Sequence, residues 1–320
     1  METCGGPRSS NVKYNKFWVT ALVAALVVLL AGLYLSQSIS QVSSVGASSV
    51  GGPIHYGHPV MPASPASSAA LAASGNGGCP LAPAECWASL NWGGYVDYNA
   101  SYLVTKVTGS WIVPAILGAH AGYCPDAQKT WDDNSVWVGI DGFSDSTVEQ
   151  TGTSSDCFYG QVAYYPWYEF YPAGSEAFPS TDVVNAGDLM IGSVNYVGAS
   201  ADGPVFTTTL TDVTQHWSFT SPATAVPGAE MNSADWIDES AYYDGFLGLT
   251  QVNSVSFGDA SATINGHTHF VGDWGSNVQW LTMVDYAWSP GTGLTYVKAY
   301  PSAFNAQGNG FSVTWVSNGP

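Results

Sequence analysis

Glutamate is scarce in this chain, seven residues against seventeen aspartates. Four of the seven stand beside aromatic or amide residues, in strand-like runs or the loops next to them: Glu149, Glu169, Glu230 and Glu239. On a half-buried surface lined by Trp and Tyr, desolvation disfavours the charged carboxylate and raises its pKa. Such a group can act as a general acid or base in an acidic medium. For any one of them alone, a hydrogen-bonded strand residue with no chemistry is the favoured account. Other hydrolytic signatures are missing. There is no G-x-S-x-G elbow, no H-E-x-x-H pair, and no Asp-Thr-Gly or Asp-Ser-Gly triplet. His267 and His269 alternate in GHTHF and would share one face of a strand. No third ligand accompanies them, and a structural pair is the plainer account.

These carboxylates need a scaffold, and from about Trp87 the chain supplies one. Short runs rich in Val, Thr, Tyr and Trp are separated by Gly, Asn, Asp and Pro: SYLVTKVTGSWIV, SVWVGI, QVAYYPWYEFY, DLMIGSVNYV, PVFTTTLTDV, VNSVSFGDA, LTYVKAY and FSVTWV. Runs of this length and composition at hairpin spacing predict strands. No long 3.6-residue periodicity competes with them. One large all-β sandwich or barrel over residues 85–320 accounts for the pattern. No 20–50-residue repeat points to a propeller or solenoid.

Six segments in order carry a resemblance. NWGGY (Asn91–Tyr95), KVTGSWIVP (Lys106–Pro114), WVGIDG (Trp137–Gly142), EQTG (Glu149–Gly152), WYEFYP (Trp167–Pro172) and ADWIDE (Ala234–Glu239) strongly resemble the glutamic peptidases, also called eqolisins. The likeness covers about residues 89 to 320. It implies two packed antiparallel sheets in a lectin-like (concanavalin-like) β-sandwich with a substrate cleft on the concave face. It also implies a catalytic pair, Gln150 of the Gln-Thr-Gly segment and Glu239 at the end of ADWIDE. Trp92, Asp141, Trp167, Glu169 and Tyr171 match positions that line the cleft or support the pair. No cofactor or metal is implied. The implied chemistry is coherent: Glu239 takes the proton of a water and returns it to the leaving nitrogen. The Gln150 carboxamide holds the water with its carbonyl and donates its N–H to the developing oxyanion. Trp167 and Tyr171 suggest an apolar or aromatic subsite. The chain departs from the family pattern at Asp235, Asp238 and Glu149. On a strand, Glu149 points away from the face of Gln150.

The remainder of the chain bears on location. Residues 1–16 carry Arg8, Lys13 and Lys16, and the run 17–35 has no charge over 19 residues. At 1.5 Å per residue it spans about 28 Å, roughly a bilayer core. It reads as a signal anchor with its N-terminus inside, or as a signal peptide. Residues 36–84, rich in Ser, Ala, Gly and Pro, read as a linker or short pro-segment. Beyond residue 35 only Lys106, Lys129 and Lys298 are basic, within a formal net charge of −18 for the chain, which disfavours nucleic acid. Few cations remain to repel one another once acid has neutralised the carboxylates. Cys79, Cys86, Cys124 and Cys157 form an even set suited to an oxidising compartment. Proximity suggests Cys79–Cys86 and Cys124–Cys157, out of three possible pairings. The expected partners are protein or peptide substrates, with the membrane met through the N-terminal segment. Two competing functions fit the same composition. One is a carbohydrate-binding sandwich using its 13 Trp and 18 Tyr. The other is a glycosidase using two carboxylates, such as Glu169 and Glu239, about 5–10 Å apart.

Overall fold

A computed structural model describes residues 85–125, 130–243, 245–286 and 295–319. The segments 1–16, 17–35 and 36–84, with Cys79, lie outside the described residues. Among the described residues no helix is long and apolar enough to cross a membrane.

The described chain is all β apart from two short 3-10 turns. In the first layer β1 (Glu85–Ser89) lies parallel to β17 (Val278–Tyr286). Antiparallel neighbours follow in the order β2 (Trp92–Tyr98), β13 (Ser233–Glu239), β5 (Ser135–Ile140), β6 (Val148–Phe158), β7 (Gln161–Tyr171) and β8 (Glu176–Ala177). Just before β5 in the chain, β4 (Trp131–Asp133) pairs with the far end of β6 and with β14 (Gly248–Leu249). In the second layer β11 (Trp217–Thr220) and β12 (Thr224–Ala225) border β10 (Gly203–Asp212). Next come β9 (Leu189–Ser200), β3 (Val104–Ile112) and β15 (Ser254–Ile264), which also pairs with β16 (His267–Phe270) and β19 (Phe311–Trp315). Through β18 (Thr295–Pro301), β19 is joined to β17, so the layers are hydrogen-bonded at one edge.

Alternation explains how the layers pack. Side chains of a strand point to opposite faces in turn. Val136, Val138 and Ile140 of β5 therefore enter the main core with Trp111, Met190, Val194, Phe206 and Trp236. Trp137 goes the other way and joins a second apolar cluster with Trp92, Val148, Trp167 and Ile237. Indole N–H groups tie the layers together. Trp236 Nε1 donates to the Thr108 carbonyl at 2.8 Å, and Trp111 Nε1 donates to Thr153 Oγ1 at 2.9 Å. Cys124 and Cys157 are disulfide-bonded, as their proximity suggests. Cys86 is also disulfide-bonded, while its suggested partner Cys79 lies outside the described residues.

The interior is rich in carboxyl groups. Asp97, Glu149, Asp156 and Asp235 have no exposed surface, and Asp238 exposes 1%. Burial holds all five well above the usual carboxylate range. Neighbouring carboxyls add to it: Asp273 at Asp97, Asp133 at Asp156, and Asp141 at both Glu149 and Asp235. Glu149 lies opposite Ile140 and Phe170, on the face turned to the second layer, as its position beside Gln150 predicts. Neither of its oxygens accepts a hydrogen bond among the described residues. Lys298, 1% exposed, donates to Ser240 Oγ at 2.9 Å and to the Leu247 carbonyl at 3.0 Å. Burial pushes it down to about 8, against the pull of Asp285 and Asp133.

A carboxyl whose folded pKa exceeds its unfolded value keeps a proton that the unfolded chain has released. Its contribution is complete below about pH 4 and is lost as pH rises through the folded value, at about 1.4 kcal/mol per pH unit for each group. Unfolding free energy, followed by urea titration from pH 3 to 8, is expected to be greatest near the acid end and to fall steadily towards neutrality. Glu149→Gln should match the parent at pH 3 and be the more stable protein at pH 7. Parallel curves for the two proteins would contradict this account.

Candidate active site

The first layer's outer face is organised in cross-strand rows, because residues directly opposite in an antiparallel ladder share a face. One row runs Val96–Asp235–Gly139–Gln150–Glu169. The next is Gly94–Ile237–Trp137–Gly152–Trp167, and the one after is Trp92–Glu239–Ser135–Ser154–Tyr165. Gln150, Glu239, Trp92, Trp167 and Glu169 thus all belong to this face, as does Tyr171, two residues beyond Glu169. Asp141 stands at its margin.

Glu239 is held by two donors. Asn91 Nδ2 donates to Oε1 and Trp137 Nε1 to Oε2, each at 2.8 Å. Neither donor is singled out by carboxylate counting, although both sit inside recognisable segments, NWGGY and WVGIDG. Their roles follow from the register. Asn91 immediately precedes Trp92, the residue opposite Glu239, and Trp137 is one row along. The Trp137 indole extends from Glu239 back over Gly139, where an added Cβ would come 2.7 Å from Cζ3. At Gly152 an added Cβ would come 2.6 Å from Trp137 Cβ. Gly139 therefore makes room for the indole ring, and Gly152 for the close approach of the β5 backbone and the Trp137 Cβ. Trp92 closes on its other side, edge to face, with ring centroids 4.9 Å apart.

Gln150 meets a different carboxylate. Its Nε2 donates to Glu169 Oε2 at 2.6 Å, across the β6–β7 ladder where the two are directly opposite. Gln150 Oε1 accepts no hydrogen bond among the described residues. Gln150 and Glu239 are two strands and two rows apart. The row offset alone is about 13 Å along the strand direction. Trp137, packed over Gly139 and against Gly152, lies between them. Gln150, Glu169 and Glu239 have no exposed surface.

Asp141 plays a scaffolding part. It adopts a positive φ of 66°. Its Oδ2 and Oδ1 accept the backbone N–H groups of Met231 and Asn232 at 2.7 and 2.8 Å. Burial, with Asp145 nearby, pushes its carboxyl up to about 7. It fixes the chain entering β13 and so the register of Glu239. His267 and His269 lie on exposed β16, where His269 meets the Trp274 ring at 5.1 Å. Among the described residues no three His, Cys, Asp or Glu side chains are grouped to hold a metal.

A buried carboxylate deprived of a donor loses more than the bond itself. Asn91→Ala and Trp137→Phe are each expected to cost about 1–3 kcal/mol of unfolding free energy in urea titrations at pH 4. The double variant should cost less than the sum, since both donors serve one carboxylate.

The profile of the Peptidase A4 family matches residues 90–305. Aspergillopepsin-2 of Aspergillus niger is 29% identical over 195 residues, 56% of this chain and 66% of that protein. Scytalidopepsin B of Scytalidium lignicola is 31% identical over 111 residues, 34% of this chain and 36% of that protein. The matched region thus spans just under two thirds of the first relative and about a third of the second. A crystal structure of scytalido-glutamic peptidase with a peptide-based transition-state analogue shares the fold, with a TM-score of 0.53 and 22% identity over 71% of this chain and 98% of that one. With the family profile covering more than half of its length, over the strands that build these rows, the chain belongs to the Peptidase A4 family, the glutamic peptidases or eqolisins.

Proposed function

We propose that this protein is an acid-acting endopeptidase in which Glu239 is the general base and acid and Gln150 is its carboxamide partner. The observation that carries the reading is the Glu239 carboxylate. It is buried, oriented by two N–H donors, and set on the same sheet face as Gln150. Asn91 and Trp137 fix its direction, which a base needs before it can take a proton from water. The scissile carbonyl would lie over Trp137, between Gln150 and Glu239, with the water on the Glu239 side. Gln150 would then turn from Glu169 towards the oxyanion, where one such donor is worth about 3 kcal/mol. Glu169 is the group that holds and aims that carboxamide in the resting state. A neutral carboxamide partner, unlike a second carboxylate, adds no like charge of its own beside Glu239, so the pair needs no shared proton. Because these groups are buried, substrate reaches them only after this face opens.

The reading includes export. The Cys124–Cys157 disulfide suits an oxidising compartment. Residues 17–35 serve as anchor or signal peptide and 36–84 as linker or pro-segment, on the evidence of their composition.

Hydrolysis of an unfolded protein by the full chain, after incubation in acid, is the test. Activity is expected to peak at acidic pH and to resist pepstatin. It should fall at very low pH, where the base is protonated, and towards neutrality, where the leaving group finds no acid. Glu239→Gln should lower kcat about 10²–10⁴-fold and Gln150→Ala about 10²–10³-fold. A Gln150→Ala variant with full kcat would remove Gln150 from the mechanism.

A further inference from the structure

Beyond Phe158 the β6–β7 hairpin turns at Tyr159 and Gly160, with φ of 48° and 88°. Two positive φ values suit Asn-Gly or Gly-Gly, and a bulky side chain there is strained. Tyr159 nevertheless occupies the first position, 70% exposed. Packing gives no reason for an aromatic at that point. Other aromatics surround it. The Phe158 ring lies 4.8 Å from Tyr159 and 5.3 Å from Trp131, and Trp131 lies 4.8 Å from Tyr243. Tyr243 and Tyr123 are 51% and 63% exposed. The assembly is rigid. The Cys124–Cys157 disulfide holds the strand just before Phe158. Tyr159 N donates to the Thr130 carbonyl at 3.0 Å, and Cys124 N to the Gly160 carbonyl at 2.9 Å.

This group is continuous with the candidate active site. Trp131 and Phe158 are directly opposite each other, four residues from Ser135 and Ser154, which share the row of Glu239. An even offset keeps them on the same face. Four residues are about 13 Å, the reach of four residues of an extended peptide.

We propose that these rings form a docking nest for an aromatic or large apolar side chain of the polypeptide substrate, about four residues from the scissile bond. The proposal rests on the endopeptidase reading of the Glu239 face. The rings are mutually inclined, at 83°, 48° and 77°. They make a cup of faces and edges that an inserted ring can meet edge to face, where a sugar would need one open flat face. Chemistry in acid favours the same solution. Ion pairs with carboxylates weaken as those protonate, whereas burial of apolar surface is indifferent to pH. A preformed cup also avoids the entropy of ordering the rings on binding.

The test uses the full chain and peptides identical around the scissile bond, carrying either Phe or Ser four and five residues away on each side. The wild type is expected to favour the Phe peptide about five- to tenfold in kcat/KM, chiefly through KM. Tyr159→Gly, which also relieves the positive φ, and Tyr243→Ser should abolish that preference. Both should leave cleavage of the Ser peptide and the melting temperature undiminished. Equal use of both peptides by the wild type, or a preference that survives both variants, would overturn the proposal. A binding measurement separates it from the endopeptidase reading: fluorescence anisotropy of a labelled Phe peptide with Glu239→Gln protein. Binding that Tyr159→Gly weakens about five- to tenfold supports the nest even if neither peptide is cleaved, in which case the endopeptidase reading alone fails. Absence of binding, or displacement by a soluble oligosaccharide, overturns the nest.

Discussion

A carboxyl group taken out of water must be met by hydrogen-bond partners, or its burial goes uncompensated. The contact of Trp137 Nε1 with Glu239 Oε2 meets that demand in this sheet, and much of the surrounding sequence follows from it. An indole is the largest side chain available, and laying it along a strand requires its neighbours to vanish. Gly139 does so beneath the ring, and Gly152 on the adjacent strand admits the Trp137 Cβ and the Val136 carbonyl. Trp92 then fills the flank, and Asn91 occupies the second oxygen. Asp141 serves the same end from a distance. By binding two backbone N–H groups ahead of β13 it holds the register that puts Glu239 beside Asn91 and Trp137.

Much of this was legible in the sequence, for identifiable reasons. SVWVGI announces a strand because its Val and Ile alternate with residues that cannot share their environment, and β5 has those bounds. QVAYYPWYEFY likewise became β7 without change. By contrast, β6 reads VEQTGTSSDCF, a run of polar residues and glycine with little strand propensity. It is nonetheless buried along ten of its eleven residues, because pairing with β5 and β7 and packing against the second layer compensate for composition. Local sequence carries no trace of that tertiary rescue. The site shows the same division. Residue types and segment order pointed to Gln150, Glu169 and Glu239. Which carboxylate each carboxamide would meet depended on register, a long-range property, and the ladder put Gln150 opposite Glu169 and Asn91 within reach of Glu239. The aromatic hairpin tip was likewise invisible, since nothing in a sequence marks a tyrosine as left-handed.

The carboxyl excess acquires a second meaning from the structure. Read from composition, it describes a surface that loses its charge in acid. Asp97, Glu149, Asp156, Asp235 and Asp238 are among those that are instead interior, and Glu149 and Asp235 lie within the same strands as Gln150 and Glu239. Each is a polar group that the fold accepts in its neutral form. An acidic medium therefore keeps the sandwich together, through groups that lie on the very strands that build the candidate site.

The cross-strand rows have a consequence for biosynthesis. Asn91, Trp137, Gln150, Glu169 and Glu239 come from five strands or strand entries spread over nearly half the chain, and β13 is inserted between β2 and β5, which precede it in sequence. Until β13 arrives, those two strands have no ladder to join them and the face has no Glu239. A chain still being made therefore lacks the complete face however much of it has folded. Whatever chemistry the face performs is withheld by strand order until the last of its five segments is threaded.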